Sequence, residues 1–487
     1  MILQTDFPYA KAHLNPLLNR LPQQTENVYI MGICGTGMAA LAGMLKSKGY
    51  NVTGSDGKVY PPMSDFLSQM NIEVKKGYSA DNIPSDTDMV IVGNVITAIN
   101  EEALELSRLE LPYLSFPQAV MSLIFSEDSR IVVAGTHGKT TTTSMAAWLF
   151  VCAGLEPGFM VGGIPKNFDS GFSIGKGSVS ILEGDEYDTA FFDKKAKFLH
   201  YKPNILILTG IEFDHADIYR DLSHVKESFR ELIKSMPDDG IIIACGDDDV
   251  LMEEIMNAPC RVITYGLRHN CMVRANNIHM DSGGMTFSPW QGTITIKAPI
   301  YGYHNLTNAM AICALSNAYG IPEEVLKNAM ESFRGVKRRQ EIIYKKNGVI
   351  VMDDFAHHPT AVKATIDAIR DHYKNKKILA VFEPRSNSSR RNVFQEYYSK
   401  VFDNADEVFI PEPIFTGKEP EGERFSSLQL VDDLNYRGIK AYYGISFDIL
   451  EKKIIEAITP ESIILCMSNG SFEGLPYRIA DALKKQK

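Results

Sequence analysis

The 487-residue sequence has few cysteines, no long apolar run and no excess of positive charge. Its seven cysteines are scattered and lack C-x-x-C spacing, which argues against a disulfide framework and a zinc–cysteine site. No stretch approaches the ~18 apolar residues of a membrane span, and no basic segment followed by an apolar one opens the chain. The net charge of -10 gives no overall attraction to nucleic acid or anionic membranes. We therefore expect a cytoplasmic protein that has no nucleic-acid, membrane or obligatory protein partner.

The chain instead contains short β-rich runs that alternate with helical stretches, a pattern typical of parallel α/β sheets. Its length favours about three domains. A polar segment, SEDSR, and a basic segment, FRGVKRRQ, predict domains over residues 1–126, 127–334 and 335–487. A β-rich insertion is expected between residues 271 and 299. The predicted strands are Val28–Gly32, Met89–Val92, Ile131–Gly135, Val179–Leu182, Ile205–Thr209, Ile241–Ala244, Val349–Met352, Ile378–Phe382, Glu407–Ile410 and Ile463–Met467.

The segment IVVAGTHGKTTTTS, from Ile131 to Ser144, places a Gly-Lys-Thr turn directly after an apolar strand. Backbone N–H groups of such a turn bind phosphate, while the lysine adds a charge and the threonine hydroxyl ligates Mg²⁺. The pattern G-x-x-x-x-G-K-[ST] fails at its first glycine, where Val133 stands, so a helix-capping turn is the alternative. We predict a nucleotide-phosphate site here. Its residues are Gly135, Thr136, His137, Gly138, Lys139, Thr140 and Thr141.

A second glycine-rich turn, Gly32-x-x-Gly35-x-Gly37, follows the first predicted strand and opens a helix of small residues. Its glycines allow backbone N–H groups to approach a pyrophosphate, although the spacing is not G-x-G-x-x-G. Ser55 and Asp56 end the next strand, in position for a ribose hydroxyl; a turn with a helix cap is the alternative. Two phosphate-bearing ligands are thus indicated, and a nicotinamide-dependent redox enzyme is the competing interpretation of this turn.

Acidic residues cluster after two strands of the middle block, and one cluster includes a histidine. Oxygen-rich ligands with a single imidazole suit Mg²⁺, whereas a solvated acidic loop is the alternative for either cluster alone. Two such clusters downstream of the Gly-Lys-Thr turn favour a metal site. They comprise Glu183, Asp185, Glu186 and Asp188, and Glu212, Asp214, His215 and Asp217.

Polar residues also follow the strands of the last block, where arginine is suited to bidentate capture of a carboxylate. This pattern predicts an acidic substrate in the third domain. The residues are Asp353, Asp354, His357, His358, Glu383, Arg385, Ser386, Asn387, Arg390 and Arg391.

Taken in order, the segments GTHGKTTTT, EFDHAD, GYHNLTNA, GVKRRQE and DDFAHHPTAV resemble the Mur ligases, the ATP-dependent amide-forming enzymes of peptidoglycan assembly. The resemblance extends over essentially the whole chain. It implies an α/β fold of three domains: an N-terminal Rossmann-like UDP-binding domain, a central P-loop ATPase domain with a parallel sheet, and a C-terminal Rossmann-like α/β domain that presents the amine. A nucleotide-sensing protein that has lost catalysis is the alternative from another class.

The resemblance implies ATP and Mg²⁺ as cofactors, and it assigns roles by position. Lys139, His215, Arg339, Asp354 and His357 are the implied catalytic residues. The implied ATP site consists of the residues of the phosphate loop together with His304, Asn308, Arg339 and Asp354. The implied metal ligands are Thr140 and Glu183 for a first Mg²⁺ and Glu183 and His215 for a second. The implied UDP-sugar contacts are Gly35, Thr36, Gly37, Met38, Ser55 and Asp56. Some relatives carry a carbamylated lysine near this position. Because this chain has Arg230 there instead, we expect no carbamylated lysine.

The motifs GICGTGM, GSD and DDFAHHPT resemble the branch of the family that uses UDP-N-acetylmuramate as acceptor. One activity in this branch adds L-alanine in peptidoglycan synthesis. The other attaches the tripeptide L-alanyl-γ-D-glutamyl-meso-diaminopimelate in peptidoglycan recycling, and EGDEYDTAFFD and FEPRSNS resemble that enzyme. The expected substrates are therefore UDP-N-acetylmuramate and the tripeptide, with L-alanine as the alternative. The implied peptide contacts are Tyr187, His357, Arg385, Ser386 and Asn387.

Overall fold

The computed structural model describes residues 11–61, 63–126, 129–290, 294–415, 417 and 419–485. Within these ranges three main sheets follow one another along the chain, with five, ten and six strands, beside one two-stranded ribbon. The predicted strands are all present, with ends that differ by one or two residues. The α/β prediction is thereby confirmed.

The first sheet is fully parallel, in the order β3-β2-β1-β4-β5. Strand β1 is almost wholly apolar and lies at the centre, where the strand order reverses between β2 and β4. Ligands bind at the carboxyl ends of strands at such a point, and the turn Gly32–Gly37 lies there. The elements are β1 Asn27–Met31, α1 Thr36–Ser47, β2 Asn51–Asp56, α2 Met63–Gln69, β3 Glu73–Lys76, β4 Met89–Val92, α3 Glu101–Leu109, β5 Tyr113–Ser115 and α4 Phe116–Ala119.

In the central sheet, the neighbours β12, β6 and β9 run parallel, so their carboxyl ends meet at one edge. The two outer strands of the predicted insertion, β16 and β17, join by antiparallel pairing. The elements are β6 Ser129–Ala134, α5 Lys139–Cys152, β7 Gly158–Met160, β8 Phe172–Ser173, β9 Val179–Gly184, β10 Asp188–Ala190, β11 Asp193–Ala196, β12 Ile205–Leu208, α6 Leu222–Lys234, β13 Ile241–Cys245, α7 Asp249–Glu254, β14 Arg261–Gly266, β15 Val273–Asp281, β16 Gly284–Pro289, β17 Ile296–Ala298, α8 Tyr303–Tyr319 and α9 Glu323–Glu331.

The third sheet has the order β18-β19-β23-β20-β21-β22 and is parallel except for its edge strand β18. The elements are β18 Glu341–Lys346, β19 Val349–Asp354, α10 Pro359–His372, β20 Lys377–Phe382, α11 Gln395–Tyr398, β21 Glu407–Pro411, α12 Ser427–Tyr436, β22 Lys440–Gly444, α13 Phe447–Ala457, β23 Ser462–Met467 and α14 Leu475–Lys485.

The first two domains share one apolar core, whereas the third domain has its own. One apolar core runs without interruption through the first two sheets and includes Leu45, Leu123 and Phe150. The third sheet has separate apolar clusters on its two faces. Contacts between the central and third domains include polar ones, such as Asn387 Nδ2 to Asp217 Oδ2 at 2.7 Å. This division is suited to movement of the third domain against the other two.

The exact domain boundaries stay predictions. The first of them, 126/127, adjoins residues 127 and 128, which lie outside the described residues. Across the described ranges, the helices are all too short or too polar to traverse a bilayer.

Candidate active site

The loop between β6 and α5 has a backbone that only glycine tolerates. Gly135 has φ +137° and Gly138 has φ +81°. A Cβ atom on Gly135 would collide with the Thr209 hydroxyl, and one on Gly138 would lie 2.6 Å from Asn308 Oδ1. Helix α5 begins at Lys139 directly after this turn, so its free N–H groups face the loop. The loop thus has the local structure of a phosphate site although Val133 breaks the longer pattern.

Lys139 is held at this loop by a buried ion pair. Its Nζ lies 2.7 Å from Glu186 Oε2 and 2.6 Å from the Gly135 carbonyl oxygen. His215 Nε2 lies 2.9 Å from the other oxygen of Glu186. Burial raises the pKa of Glu186, but Lys139 and His215 outweigh that effect and lower it. Likewise, burial lowers the pKa of Lys139, and Glu186 with Asp185 raises it above its ordinary value. The result is a Lys139–Glu186–His215 network built on a charged Lys139–Glu186 pair.

Two predicted metal ligands lie together beside this network. The Thr140 hydroxyl donates to Glu183 Oε1 over 2.9 Å, and the Gly162 amide donates to Glu183 Oε2 over 2.6 Å. Burial raises the pKa of Glu183 above its usual value. A hydroxyl beside a buried carboxylate is an oxygen donor set that fits Mg²⁺.

The third predicted ligand, His215, has a left-handed backbone with φ 56°. The amide of His215 donates to Asp214 Oδ1 over 2.6 Å, which stabilises this unusual conformation. Its ring is bonded to Glu186 rather than to Glu183. His215 therefore lies among the predicted acidic residues, but its partner is Glu186, which is not one of the predicted metal ligands.

The hinge between the second and third domains brings Arg339 to the loop. Its Nη2 lies 3.3 Å from Thr140 Oγ1, and its guanidinium lies over the Phe355 ring at 4.4 Å. Asp354 accepts hydrogen bonds from the amides of Gln340, at 2.7 Å, and Ala356, at 2.8 Å. Asp354 thus shapes the hinge turn from which Arg339 extends.

His304 and Asn308 lie at the start of α8. Asn308 is buried against Gly138 of the phosphate loop, while His304 Nε2 lies 3.5 Å from Gln340 Nε2 in the hinge. Burial lowers the pKa of His304 to about 4, so this imidazole is neutral at pH 7. Their assignment to adenine or ribose stays a prediction.

In the first domain, helix α1 starts at Thr36, with Gly35 as its N-cap, so the predicted UDP turn precedes a helix N-terminus. Asp56 Oδ2 accepts from the Cys34 amide at 2.9 Å and thereby holds the turn. Ser55 is fully buried, and its hydroxyl donates to Glu102 Oε2 over 2.6 Å. Gly37 packs under Phe116, where a Cβ atom would lie 3.2 Å from the ring, and Met38 is buried.

Among the predicted peptide residues, Asn387 and His357 face the central domain at Asp217 and Asp214, whereas Arg385 and Ser386 contact residues of the third domain. The Tyr187 and His215 rings are 4.1 Å apart, and Arg385 Nη1 lies 3.5 Å from Glu383 Oε1. Ser386 Oγ donates to Ser389 Oγ over 2.9 Å, which shapes the loop after β20. The neighbouring cavity of about 270 Å³ is lined by Asp217, Asn387, Arg391 and Glu419.

His357 is a largely buried imidazole whose Nε2 lies 3.9 Å from Asp214 Oδ2. Its Nδ1 lies 3.0 Å from the Phe355 carbonyl oxygen, which only accepts, so Nδ1 carries the proton and Nε2 has a free lone pair. Burial lowers the pKa of His357 to about 4, although Asp214 opposes this, and the ring is neutral at pH 7.

The chain matches three family profiles in order. They are "Mur ligase family, catalytic domain" over residues 27–126, "Mur ligase middle domain" over 133–316 and "Mur ligase, glutamate ligase domain" over 338–470. It is 37% identical over 461 residues to the UDP-N-acetylmuramate–L-alanyl-γ-D-glutamyl-meso-2,6-diaminoheptandioate ligase of Haemophilus influenzae, covering 94% of this chain and 99% of that protein. The chain belongs to the Mur ligase family.

Two other Mur ligases show the same full-length similarity. The crystal structure of a murein peptide ligase from Psychrobacter arcticus is 30% identical, with a TM-score of 0.70, and the match covers 95% of this chain and 99% of that one. A UDP-N-acetylmuramate–L-alanine ligase of Clostridium kluyveri is 32% identical over 451 residues, covering 92% of this chain and 96% of that protein. These matches confirm both the family resemblance and the three-domain architecture.

Sequence reasoning on this Mur ligase missed two partnerships. Glu186 was placed in an acidic cluster but not paired with Lys139. Glu102 is buried in the first domain and accepts hydrogen bonds from Ser55, from Tyr29 at 3.0 Å and from Asn82 at 2.7 Å, and no sequence pattern marks it. Arg230, which stands near the position of the carbamylated lysine of some relatives, forms a surface ion pair with Glu254 at 2.9 Å.

Asp353, next to the hinge, has a raised pKa that a substitution can test. Asp353 lies 3.4 Å from Arg338, yet burial, with a smaller contribution from Asp354, raises its pKa from 3.8 to about 6. A carboxyl whose folded-state pKa is raised contributes stability that is present below pH ~4 and lost as the pH rises through ~6. Asp353→Asn should therefore stabilise the protein at neutral pH.

The advantage of Asp353→Asn should grow by about 1 kcal/mol between pH 5 and pH 8, as measured by thermal or urea unfolding. Arg338 keeps partners in the variant, because it also donates to the carbonyl oxygens of Ser468, at 2.6 Å, and Gly470, at 2.5 Å. A stability difference that is the same at both pH values would contradict the raised pKa.

Proposed function

We propose that this chain is an ATP-dependent ligase that joins L-alanyl-γ-D-glutamyl-meso-diaminopimelate to UDP-N-acetylmuramate in peptidoglycan recycling. One observation carries the proposal: the loop after β20 contacts the central domain at Ala216 and Asp217, directly after His215, and Glu186 joins His215 to Lys139 of the phosphate loop. The similarity to the Haemophilus influenzae ligase supports the choice of substrates. The proposal places the reaction in the cytoplasm, where ATP is available.

The chemistry requires activation because a carboxylate is a poor electrophile. The muramyl carboxylate attacks the γ-phosphorus of ATP, which gives an acyl phosphate and releases ADP. The alanyl amine of the tripeptide then attacks the acyl carbon, and inorganic phosphate leaves. Lys139 and Arg339 are positioned to offset the negative charge that develops on the transferred phosphoryl group.

Thr140, Glu183 and His215 are proposed to hold Mg²⁺, which would neutralise phosphate charge when bound. His357 is proposed to remove the proton of the attacking amine. Its neutral ring with Nε2 free is the form that accepts a proton. Turns at Gly35–Met38 and at Asp56 are proposed to hold the UDP moiety, and His304 and Asn308 the nucleoside of ATP.

The acceptor assay tests the function. We expect phosphate release from ATP to require both UDP-N-acetylmuramate and the tripeptide, with the peptidyl nucleotide as product by mass spectrometry. Turnover with free L-alanine in place of the tripeptide would instead establish alanine addition, which the Clostridium kluyveri similarity keeps as the second candidate. ATP hydrolysis that is indifferent to both substrates would contradict either ligase activity.

Arg385→Ala tests the peptide site. If Arg385 binds a diaminopimelate carboxylate, its loss removes a charged hydrogen bond of about 1.5–3 kcal/mol, so the KM for tripeptide should rise roughly 10- to 150-fold. The KM for ATP should change little. Arg478→Ala, which removes a surface arginine paired with Glu451 between α13 and α14, is the control and should leave both values unchanged. Equal losses for ATP and tripeptide would mean that Arg385 is structural.

A further inference from the structure

A second set of metal-ligating side chains lies beside the phosphate loop, formed by His137, Glu212 and His358. His137 belongs to the loop, Glu212 follows β12, and His358 precedes α10 of the third domain. The cluster therefore spans the cleft between the central and third domains. It shares no residue with the proposed Mg²⁺ ligands.

The three ligand atoms form a nearly equilateral triangle. His137 Nε2 lies 3.2 Å from His358 Nδ1 and 3.4 Å from Glu212 Oε2. The third side, from His358 Nδ1 to Glu212 Oε2, is 3.6 Å. A tetrahedral zinc ion with bonds of about 2.0–2.2 Å separates its ligand atoms by roughly 3.3–3.6 Å. The triangle thus has the dimensions of one face of a zinc site.

The surrounding hydrogen bonds direct a lone pair of His358 into this triangle. His358 Nε2 lies 3.2 Å from the Phe213 carbonyl oxygen, which only accepts, so Nε2 carries the proton and Nδ1 is free to ligate. A backbone carbonyl on the far nitrogen is a common partner of zinc-bound histidine. The Thr360 amide contacts Nδ1 at 3.3 Å, a long hydrogen bond that an ion would replace.

Glu212 is anchored and charged. Its amide donates to the Thr136 hydroxyl at 2.8 Å, which ties it to the phosphate loop, and the Thr360 hydroxyl donates to Oε2 at 2.7 Å. Burial raises its pKa, but the hydrogen bond from His137 and the other contacts lower it to about 2. Two imidazoles with one carboxylate select zinc-like ions rather than Mg²⁺.

We propose that His137, Glu212 and His358 bind a transition-metal ion of the zinc type, with water as a fourth ligand. The side chains of His137 and Glu212 are 29% and 39% exposed, which leaves the fourth position accessible. The bound ion ties the third domain to the phosphate loop. Occupancy is therefore expected to slow any step in which the third domain separates from the loop.

The test is a titration of metal-free full-length protein with Co²⁺, followed by competition with Zn²⁺, in excess Mg²⁺ to fill the oxygen site. We expect one equivalent to bind, with the visible absorption of tetrahedral cobalt. His137→Gln, Glu212→Gln and His358→Gln should each lower the Zn²⁺ affinity by at least ~10- to 100-fold. Two controls should bind as the wild type does: His279→Gln, an exposed histidine on β15, and His215→Gln, in the proposed Mg²⁺ site.

The proposal is overturned by the absence of stoichiometric binding to the wild type. It is equally overturned if the three cluster variants bind normally while His215→Gln does not, because the ion then occupies the oxygen site. Circular dichroism confirms folding of each variant. The three substitutions lie on different segments, so a folding defect in one leaves the other two decisive. These outcomes do not depend on which acceptor the ligase uses.

Discussion

Replacing Lys139 by methionine is expected to reduce kcat for ligation by about 10³-fold or more, the scale on which a charged group acts on phosphoryl transfer. Methionine keeps most of the apolar stem and removes only the ammonium group. The KM for tripeptide should change little, because all of its proposed contacts except Tyr187 belong to the third domain. Steady-state kinetics with the tripeptide and UDP-N-acetylmuramate measure the effect.

The same substitution should also destabilise the protein. The side chains of Lys139 and Glu186 are only 14% and 2% exposed, so Lys139→Met leaves the buried Glu186 with His215 as its remaining side-chain partner. Breaking a buried pair by removing one member costs about 3 kcal/mol. The double variant Lys139→Met/Glu186→Gln removes both charges and should recover most of that stability.

The double variant separates the two roles of Lys139. Recovered stability without recovered activity would show that the ammonium group acts in the reaction and does more than hold the fold. If activity returned together with stability, Lys139 would be only a structural partner of Glu186, and the role of the loop in catalysis would be wrong.

The sequence predicted ten strands, each a short and largely apolar run with buried side chains such as Ile205–Leu208, but not less apolar strands such as β18 and β22. It did not predict the ribbon β10–β11, whose second strand reads DKKA and has no apolar run. The turn at the phosphate loop was also predictable, because its positive φ angles require glycine and the glycines are visible in the sequence.

Partners across the fold were not predictable in the same way. Glu186 and Glu183 stand in one acidic segment, and no local pattern distinguishes the one that pairs with Lys139. His137 and His358 are 221 residues apart in sequence and meet only because the third domain packs on the loop. Ser55 ends its strand as predicted, but its side chain points to the buried Glu102.

Glu183 and Glu186 should respond oppositely to neutralisation. Burial raises the pKa of Glu183, so its charged form costs stability at pH 7, and Glu183→Gln should leave the melting temperature equal or higher. The pKa of Glu186 is lowered by Lys139 and His215 despite its burial, so its charge contributes stability that is present above its unfolded pKa. Glu186→Gln should therefore lower the melting temperature.

Glu183→Gln should be the more stable of the two variants and yet lose activity. Glu183→Gln removes the charge proposed to hold Mg²⁺, so kcat at fixed Mg²⁺ should fall by about 10²-fold or more and the Mg²⁺ requirement should rise. A stable but inactive Glu183→Gln, beside a destabilised Glu186→Gln, would mark Glu183 as a residue kept for function at a cost in stability. Full activity of Glu183→Gln at low Mg²⁺ would remove it from the proposed ligand set. Glutamine keeps both local contacts, because its amide oxygen can accept from the Gly162 amide while its NH2 group donates to the Thr140 hydroxyl oxygen.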